Sequence, residues 1–335
     1  SEVPLSRWDV DAVETRGMNA DVKARIRYGC FLASVQHFDN AFFRIKRTEA
    51  AVLDPQQRLI LEVGYEALGL RDELRGSDTG VYLGMMNSDA AQRLGSAIPG
   101  PYNITGVGYS SAGARLSYVF AMRGPAMTFD TACSSSVVAA HVARRSLQHH
   151  DAARGVVIGV NLLLIPGGAY VGPAATGMLS AMGRCHTFDE RADGYLRGEG
   201  CGVAVLAPAE DADTMPGSAV KHNGQSATFT ALNGSSQQLL LRASLEDAGA
   251  PDVAMVEAHG TGTALGDPIE AGAVSASLGI AMIGGLKANI GHTESTAGIV
   301  GVLKAAVTVD LGSNAQLRRL TPYIREGVGE LILPV

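Results

Sequence analysis

Short apolar runs without alternating polar residues constrain the fold of this chain more than any other feature. They are TGVYLGMM (79–86), PAMTFD (125–130), GVVIGV (155–160), GCGVAVLA (200–207), VAMVEA (253–258) and residues 282–286. A strand with one face in water alternates apolar and polar residues, whereas a strand covered on both faces does not. The runs therefore predict an α/β fold in which helices cover both faces of each sheet.

Helical patterns separate these runs. They are predicted at residues 110–120, 134–149, 235–249, 268–278 and 295–309, with an earlier helix opening at Asp54-Pro55. The strand–helix rhythm occurs before residue 165 and again after residue 200. This repetition is consistent with two similar α/β halves.

Composition narrows the possible functions. The 335 residues are 46% hydrophobic and 18% charged with 41 glycines, a mix typical of a globular, turn-rich protein. The net charge of −6 and the lack of a basic block argue against nucleic acid as a partner. No apolar run is long enough to span a membrane. The N-terminus carries charged residues instead of an apolar signal core, so we expect a cytoplasmic protein.

Cys133 lies in DTACSSS (130–136), between a predicted strand and a predicted helix. The unpaired N–H groups at a helix N-terminus carry partial positive charge. They would lower the pKa of the thiol below about 8.5 and increase its thiolate fraction. The small neighbours leave room for a substrate carbonyl, although they also suit tight packing. Cys133 is therefore a candidate nucleophile on a strand–turn–helix elbow.

His259 follows the strand 253–258 and opens HGTGTALGDP (259–268). A histidine after a strand is often only a hydrogen-bonded residue. The glycines that flank Thr261 favour a functional role for His259, because they let a ligand approach the backbone closely. The hydroxyls of Thr261 and Thr263 could then bind a polar, amide-containing ligand.

A third loop, LKANIGHTESTAG (286–298), also follows a short strand and precedes a helix. It brings Lys287, His292 and Glu294 close together in sequence. Lys287 could simply be a solvated strand end, and Glu294 an acid favoured by the helix dipole. Three polar loops at strand ends are nevertheless the arrangement expected of an α/β active site.

These three blocks resemble the signatures of β-ketoacyl synthase domains. DTACSSS, EAHGTGT with GDPIEA, and KANIGHTE with TAG occur in the order and at about the spacing of that family. The versions here are most similar to those of modular polyketide synthases and multifunctional fatty acid synthases. Further matches include DPQQRLILEVGYEAL (54–68) and GRCHTFDERADGYLRGEG (183–200). The resemblance runs from about residue 30 to residue 324.

The resemblance implies a ketosynthase that performs a decarboxylative Claisen condensation. Cys133 would hold the acyl chain, and His259 and His292 would donate hydrogen bonds to the thioester oxygen of malonyl carrier protein. Lys287 matches a supporting lysine and Glu294 an acid that orders the site. Thr261 and Thr263 match threonines that line the path of the phosphopantetheine arm.

The resemblance also implies a fold and partners. We expect the thiolase-like fold, two duplicated α/β halves in a five-layer α-β-α-β-α stack, with halves at residues 1–165 and 166–335. The expected partners are an acyl carrier protein, acyl and malonyl thioesters, and a second copy of the chain in a homodimer. Neither a metal nor a directly bound cofactor is expected, because substrates arrive on the carrier's phosphopantetheine.

Two family features are not found in the sequence, namely an initial apolar strand and a final Gly-Phe-Gly-Gly loop. This difference leaves a second hypothesis open, a catalytically impaired protein with a structural or pairing role. A cysteine hydrolase would leave the second histidine and Lys287 unexplained. A thiolase would need a second cysteine as base, which the C-terminal segment does not offer.

Overall fold

The protein is described from a computed structural model that covers residues 1–14, 21–69, 72–94, 100–208, 214–279, 281–308 and 313–327. The strands in these ranges are β1 Thr79–Met85, β2 Ala126–Phe129, β3 Arg154–Asn161, β4 Gly200–Leu206, β5 Met255–Glu257 and β6 Met282–Gly284. The helices of the first part are α1 Asp21–Arg25, α2 Arg47–Ala50, α3 Pro55–Leu68, α4 Asp89–Leu94, α5 Asn103–Val107, α6 Tyr109–Phe120, α7 Ser135–Gln148 and α8 Gly172–Ala175. Those that follow are α9 Gly234–Asp247, α10 Gly266–Leu278, α11 Lys287–Ile290, α12 Ala297–Val307 and α13 Pro322–Gly327.

All six predicted strands and the predicted helices are confirmed, with ends displaced by only a few residues. The largest difference is at residues 295–309. There the α-helix begins at Ala297 after a 3-10 turn over Glu294–Thr296, and it ends at Val307. Residue 309 lies outside the described residues.

The first sheet has the order β2-β1-β3-β4. β1 runs parallel to both β2 and β3, and β4 runs antiparallel to β3. Every residue of β1 is buried, which confirms a sheet covered on both faces. β4 belongs to this sheet although it follows residue 165, and the predicted division of the chain at residues 165 and 166 stays a prediction.

Successive residues of the central strands point to opposite layers, as the pleat requires. Leu83 of β1 and Ile158 of β3 belong to a core formed with α3 and α6. Tyr82 and Val157 belong to a second core formed with α7 and α12. The predicted α/β class, with helices on both faces, is therefore confirmed in this sheet.

The first turns of α7 and α12 pack unusually close to the first sheet because glycines stand beneath them. A Cβ on Gly84 of β1 would lie 2.4 Å from the backbone nitrogen of Ser136. A Cβ on Gly159 of β3 would lie 2.8 Å from Ile299 and 3.0 Å from Ser136. The Ser136 hydroxyl accepts the N–H of Ile299 at 3.0 Å and joins the two helices. We call this contact the glycine seam.

The second sheet pairs β5 with β6 in parallel. Its core contains Ile283 and Ala258, packed with Phe188 and with residues of α10 and α13. Among the helices in the described ranges, none is long and apolar enough to cross a membrane.

Candidate active site

Cys133 lies on a strained elbow between β2 and α7. The preceding residue, Ala132, has a φ of 55°, a left-handed conformation that is uncommon outside glycine. A 3-10 turn over Ala132–Ser134 leads into α7. The buried Ser135 hydroxyl holds this turn, because it accepts the N–H of Thr131 at 2.9 Å and donates to the carbonyl of Ala132 at 2.6 Å. The predicted strand–turn–helix elbow is confirmed.

The prediction of a lowered pKa for the Cys133 thiol is wrong. Burial of the half-buried thiol raises its pKa above the ordinary value, and the ammonium of Lys287 and a backbone N–H oppose this rise only in part. The helix α7 begins two residues after the cysteine, and the thiol is enclosed by protein. Desolvation of the thiolate is therefore the larger effect, and at neutral pH the resting group is the thiol.

His259 stands just beyond the end of β5, at the start of the glycine-rich loop. Its backbone N–H donates to Oε1 of Glu270 at 2.6 Å, and that of Gly260 donates to Oε2 at 2.8 Å. Gly260 has a φ of 46°, so the chain turns away immediately after the histidine. The imidazole borders a cavity. Its surface is therefore accessible from that cavity, although protein surrounds the ring.

His292 is buried and is held by its backbone and by one ring nitrogen. Its backbone N–H donates to the carbonyl of Leu196 at 2.6 Å, and its carbonyl accepts the N–H of Gly198 at 2.9 Å. Nδ1 of the ring accepts the backbone N–H of Glu294 at 3.0 Å. Because Nδ1 is an acceptor in a neutral ring, the proton is on Nε2.

The elbow and the two loops converge on one point. Sγ of Cys133 and a ring nitrogen from each of His259 and His292 lie within 4.8 Å of one another. The two imidazoles stand at 90° with ring centroids 5.4 Å apart. A thiolate and two imidazoles are also a donor set that zinc accepts, so this geometry fits either a metal site or an acyl-transfer site.

Both imidazoles are neutral at physiological pH. Burial, followed by the charge of Lys287, lowers the pKa of His259 to about 3. Burial lowers the pKa of His292 well below its ordinary value, and Lys287 again acts in the same direction. A neutral imidazole keeps one N–H that can donate to a developing oxyanion.

Lys287 places a positive charge beside the reactive side chains. It is buried at the start of α11 and lines the same cavity as Cys133 and His259. Burial lowers the pKa of its ammonium, and the carboxylates of Glu270 and Glu257 oppose that effect. The interpretation of Lys287 as a solvated strand end is therefore wrong.

Glu294 is tied to a residue far away in sequence. Its carboxylate receives two bonds from the guanidinium of Arg197, at 2.7 and 2.5 Å, and both side chains are buried. Glu294 has a φ of 49°, a strained conformation that this pair and the bond to His292 hold in place. The Arg197–Glu294 pair therefore fixes the turn that orients His292.

Thr261 and Thr263 lie on the loop after His259, with their hydroxyls 3.2 Å apart. The buried carboxylate of Asp267 anchors this loop by accepting the N–H groups of Gly262 and Phe188. Burial raises the pKa of Asp267 to about 7. Neither threonine borders the cavity that contains Cys133. Their contact with a phosphopantetheine arm stays a prediction.

A cavity of about 650 Å³ opens beside Cys133 and extends between α9, β5 and α12. His259 and Lys287 border it at the polar end. The remaining lining is mostly apolar and includes Val137, Leu241, Leu245, Met255 and Val300. Its size and lining are typical of a site that binds a small, largely hydrocarbon ligand.

Sequence reasoning assigned no role to Arg197, Asp267 or Glu270, although all three lie in segments that match the family. For the two carboxylates a signal exists, because they are three residues apart at the start of a predicted helix, a spacing that places side chains on one helix face. For Arg197 there is none, since its partner Glu294 is 97 residues away.

Comparison with known proteins identifies the fold and the family. The family model Beta-ketoacyl synthase, N-terminal domain, matches residues 1–212, and Beta-ketoacyl synthase, C-terminal domain, matches residues 214–317. The mycocerosic acid synthase-like polyketide synthase of Mycolicibacterium smegmatis is 37% identical over 356 aligned positions, which cover 100% of this chain and 17% of that protein. Polyketide synthase GfsB of Streptomyces halstedii is 41% identical over 336 positions, which cover 93% of this chain and 6% of that protein.

Two solved structures are similar over nearly the whole chain. The ketosynthase from module 6 of the bacillaene synthase of Bacillus subtilis 168 has a TM-score of 0.84 at 33% identity and covers 99% of this chain and 60% of its own. The oxazolomycin ketosynthase domain OzmH KS7 of Streptomyces albus JA3453 has a TM-score of 0.88 at 32% identity. The match covers 100% of this chain and 62% of that domain's chain. Ketosynthase domains have the thiolase-like fold, so the predicted fold is confirmed. The chain spans less than a fifth of the length of the two polyketide synthases.

The rate of Cys133 alkylation by iodoacetamide should depend on pH in a way that reports its raised pKa. The thiolate is the reactive form, so the rate should keep rising beyond about pH 8.5, where an ordinary thiol ionises. Lys287→Met removes a charge that stabilises the thiolate and should slow alkylation at each pH. Intact mass against time measures both rates, with Cys133→Ser as background.

Lys221→Met, which removes an exposed lysine, is the matched control and should leave the rate unchanged. A rate that levels off below about pH 8, where an ordinary thiol is still mostly protonated, would contradict this account of the thiol. An unaffected Lys287→Met variant would contradict it as well.

Proposed function

The chain belongs to the β-ketoacyl synthase family, and we propose that it is the ketosynthase unit of a polyketide synthase. Members of this family are acyltransferases that form carbon–carbon bonds. The observation that carries the proposal is the convergence of Cys133, His259 and His292 within 4.8 Å. The family match and the adjoining apolar cavity favour acyl transfer over a zinc site for these three side chains.

The first step loads an acyl chain onto Cys133. Because the resting group is a thiol, Sγ gives up its proton as it attacks the carbonyl of the incoming thioester. A carbon–sulfur bond to Cys133 forms and the bond to the phosphopantetheine sulfur breaks, and that leaving thiolate takes a proton. The ammonium of Lys287 stabilises the transient negative charge on Cys133.

The second step generates the carbon nucleophile. The carboxylate of a malonyl thioester leaves as CO2, and the electron pair of the broken carbon–carbon bond forms an enolate on the thioester. His259 and His292 donate their N–H groups to the enolate oxygen. Each donor of this kind is worth about 2.7–4 kcal/mol in comparable sites.

The third step joins the two fragments. The enolate carbon attacks the carbonyl of the acyl group on Cys133, a carbon–carbon bond forms, and the bond to Sγ breaks. Thiolate is the leaving group, and it takes up a proton to restore the resting thiol. A cysteine suits both the first and the third step, since sulfur is a good nucleophile and a good leaving group.

The apolar part of the cavity supplies room for the hydrocarbon part of the acyl chain beside Cys133. The substrates would arrive on the phosphopantetheine of an acyl carrier protein, and the reaction needs no directly bound cofactor. A catalytically impaired protein is not favoured, because the three reactive side chains are present and lie together. A cytoplasmic location stays a prediction.

We also propose that the protein works as a homodimer through β2. Within the described ranges, β2 pairs only with β1 and forms one edge of the first sheet. Met127 on this strand is 41% exposed, and the neighbouring Tyr109 is 40% exposed. An exposed apolar edge strand is a template for pairing with an identical strand across a two-fold axis.

Single variants should separate the steps of the reaction. Cys133→Ala should abolish acyl loading and spare malonyl decarboxylation. His259→Ala or His292→Ala should still load, because neither substitution removes Cys133 or Lys287, the charged group that favours its thiolate. Each should lower the condensation rate by about 10²–10³-fold through the lost donor. Intact mass measures loading, and released CO2 and product measure the later steps.

His149→Ala removes an exposed imidazole at the end of α7 and should change none of these rates. Undiminished condensation by the Cys133, His259 or His292 variant would refute the mechanism.

Met127→Lys should convert a dimer to a monomer at micromolar concentration, since a charge on an edge strand opposes pairing. Sedimentation velocity measures the mass, and Tyr323→Lys on the exposed face of α13 is the control. A dimer that survives Met127→Lys, or a monomeric wild type, would overturn this proposal.

A further inference from the structure

One edge of the second sheet carries backbone groups that no strand in the described ranges pairs with. In these ranges β5 pairs only with β6. The carbonyl of Ala254 and the N–H of Ala258 bond to β6, at 3.0 and 2.8 Å. Successive residues of a strand direct their backbone groups to opposite sides, so the N–H and C=O groups of Met255 and Glu257 point away from β6.

The cavity beside Cys133 lies along this free edge. It is bordered by Met255, Val256 and Glu257 in succession. Neighbouring side chains of a strand point to opposite faces, so a cavity that touches all three lies beside the sheet and not on one of its faces. No residue of β6 borders it within the part of the chain that the structure describes. The free N–H and C=O groups of β5 therefore point into the cavity.

The cavity has the form of a slot for one more strand. Leu241 and Leu245 of α9 border it on one side, and Val300 and Gly301 of α12 border it on another. A space between two helices and the edge of a strand suits an extended chain, whose side chains would point alternately towards α9 and α12. Both helices present mainly apolar groups there, so apolar side chains fit best.

The free backbone groups favour a ligand that carries amides. Met255 and Glu257 are only partly accessible, and a backbone group without a partner away from water costs as much free energy as a lost hydrogen bond. The carboxylate of Glu257 is engaged elsewhere, because it accepts the N–H of Leu286 and the ammonium of Lys304, both at 2.6 Å. A plain hydrocarbon would leave the edge unpaired, whereas an extended amide chain would pair with it as an added strand.

The slot leads directly to the nucleophile. Cys133 and His259 border its polar end, and His259 follows Glu257 by two residues. A chain attached to Sγ of Cys133 can therefore extend along β5 from Glu257 towards Met255. These two residues are about 6.6 Å apart along the strand, which is the repeat of an extended peptide.

We propose that the acyl chain on Cys133 is of the peptidyl type, with an apolar side chain, and that it pairs as an extra strand with the free edge of β5. This inference rests on the proposed function, because it names the substrate class of the same site. The chemistry of loading is unchanged, since the carbonyl bonded to sulfur is then that of an amino-acid residue. The apolar lining receives the side chains, and β5 receives the amides.

Loading of wild-type Cys133 by thioesters of N-acetylcysteamine, followed by intact mass, tests the substrate class. N-acetylleucylglycyl and octanoyl groups have the same chain length, but only the first carries amides. We expect kcat/KM for loading to be about tenfold higher for the peptidyl group, through two net hydrogen bonds. Equal or faster loading of the octanoyl group would overturn the proposal and indicate that another strand covers the edge.

Two N-methylated isomers of the peptidyl thioester test the strand geometry. In an extended chain successive amide N–H groups point to opposite sides, so only one of the two can reach β5. Methylation of that nitrogen should slow loading about tenfold, and methylation of the other should change it less than about threefold. The isomers have the same size and composition, so an equal loss in both would overturn the pairing.

Met255→Pro removes one N–H from the free edge without removing a bond to β6. It should lower the preference for the peptidyl over the octanoyl group by about threefold to fivefold. Phe229→Pro, at an exposed turn, is the control and should leave the preference unchanged. An unchanged preference in Met255→Pro would overturn the proposal. Where that variant does not fold, the N-methylated isomers on the wild type decide the question.

Failure of the proposed function is seen separately. A wild-type protein that no acyl thioester loads refutes the proposed function, and this inference falls with it. A wild-type protein that loads octanoyl groups as well as it loads peptidyl groups keeps the proposed function and refutes only the peptidyl substrate class.

Discussion

The glycine seam is the packing contact on which the site depends. Cys133 lies two residues before α7, and His292 lies two residues before the turn that leads into α12. Because Gly84 and Gly159 have no side chain, the first turns of both helices rest against the ends of β1 and β3 and against each other. The nucleophile and one imidazole are thereby brought together by the same few contacts that close the core on this face of the sheet.

The electrostatics of the site follow largely from burial and from the ammonium of Lys287. Burial disfavours the ammonium form of Lys287, whereas Glu270 and Glu257 favour it. In its charged form Lys287 favours a neutral ring in both histidines. The same burial raises the pKa of Cys133. A resting state of neutral thiol and neutral imidazoles suits the proposed reaction, because charge appears only in the transition states, where Lys287 and the N–H donors can stabilise it.

Much of the fold and of the site could be predicted from the sequence, because the relevant signals are local. Apolar runs located the strands, and the residues at their ends located Cys133, His259 and His292. The pKa of Cys133 could not be predicted in this way, since it depends on how deeply the tertiary structure encloses the thiol. The pairing of β4 with β3, the Arg197–Glu294 ion pair and the contacts of Glu270 involve residues that are distant in sequence or that have no motif of their own.

The central claim is that two neutral imidazoles, with the proton of His292 on Nε2, stand ready as hydrogen-bond donors. Nitrogen-15 NMR of histidine-labelled protein, assigned with single variants and followed against pH, tests it most directly. We predict neutral rings for His259 and His292 at neutral pH, a proton on Nε2 of His292, and titration of His259 only near a pH of about 3. A doubly protonated ring at neutral pH, or a proton on Nδ1 of His292, would contradict the account.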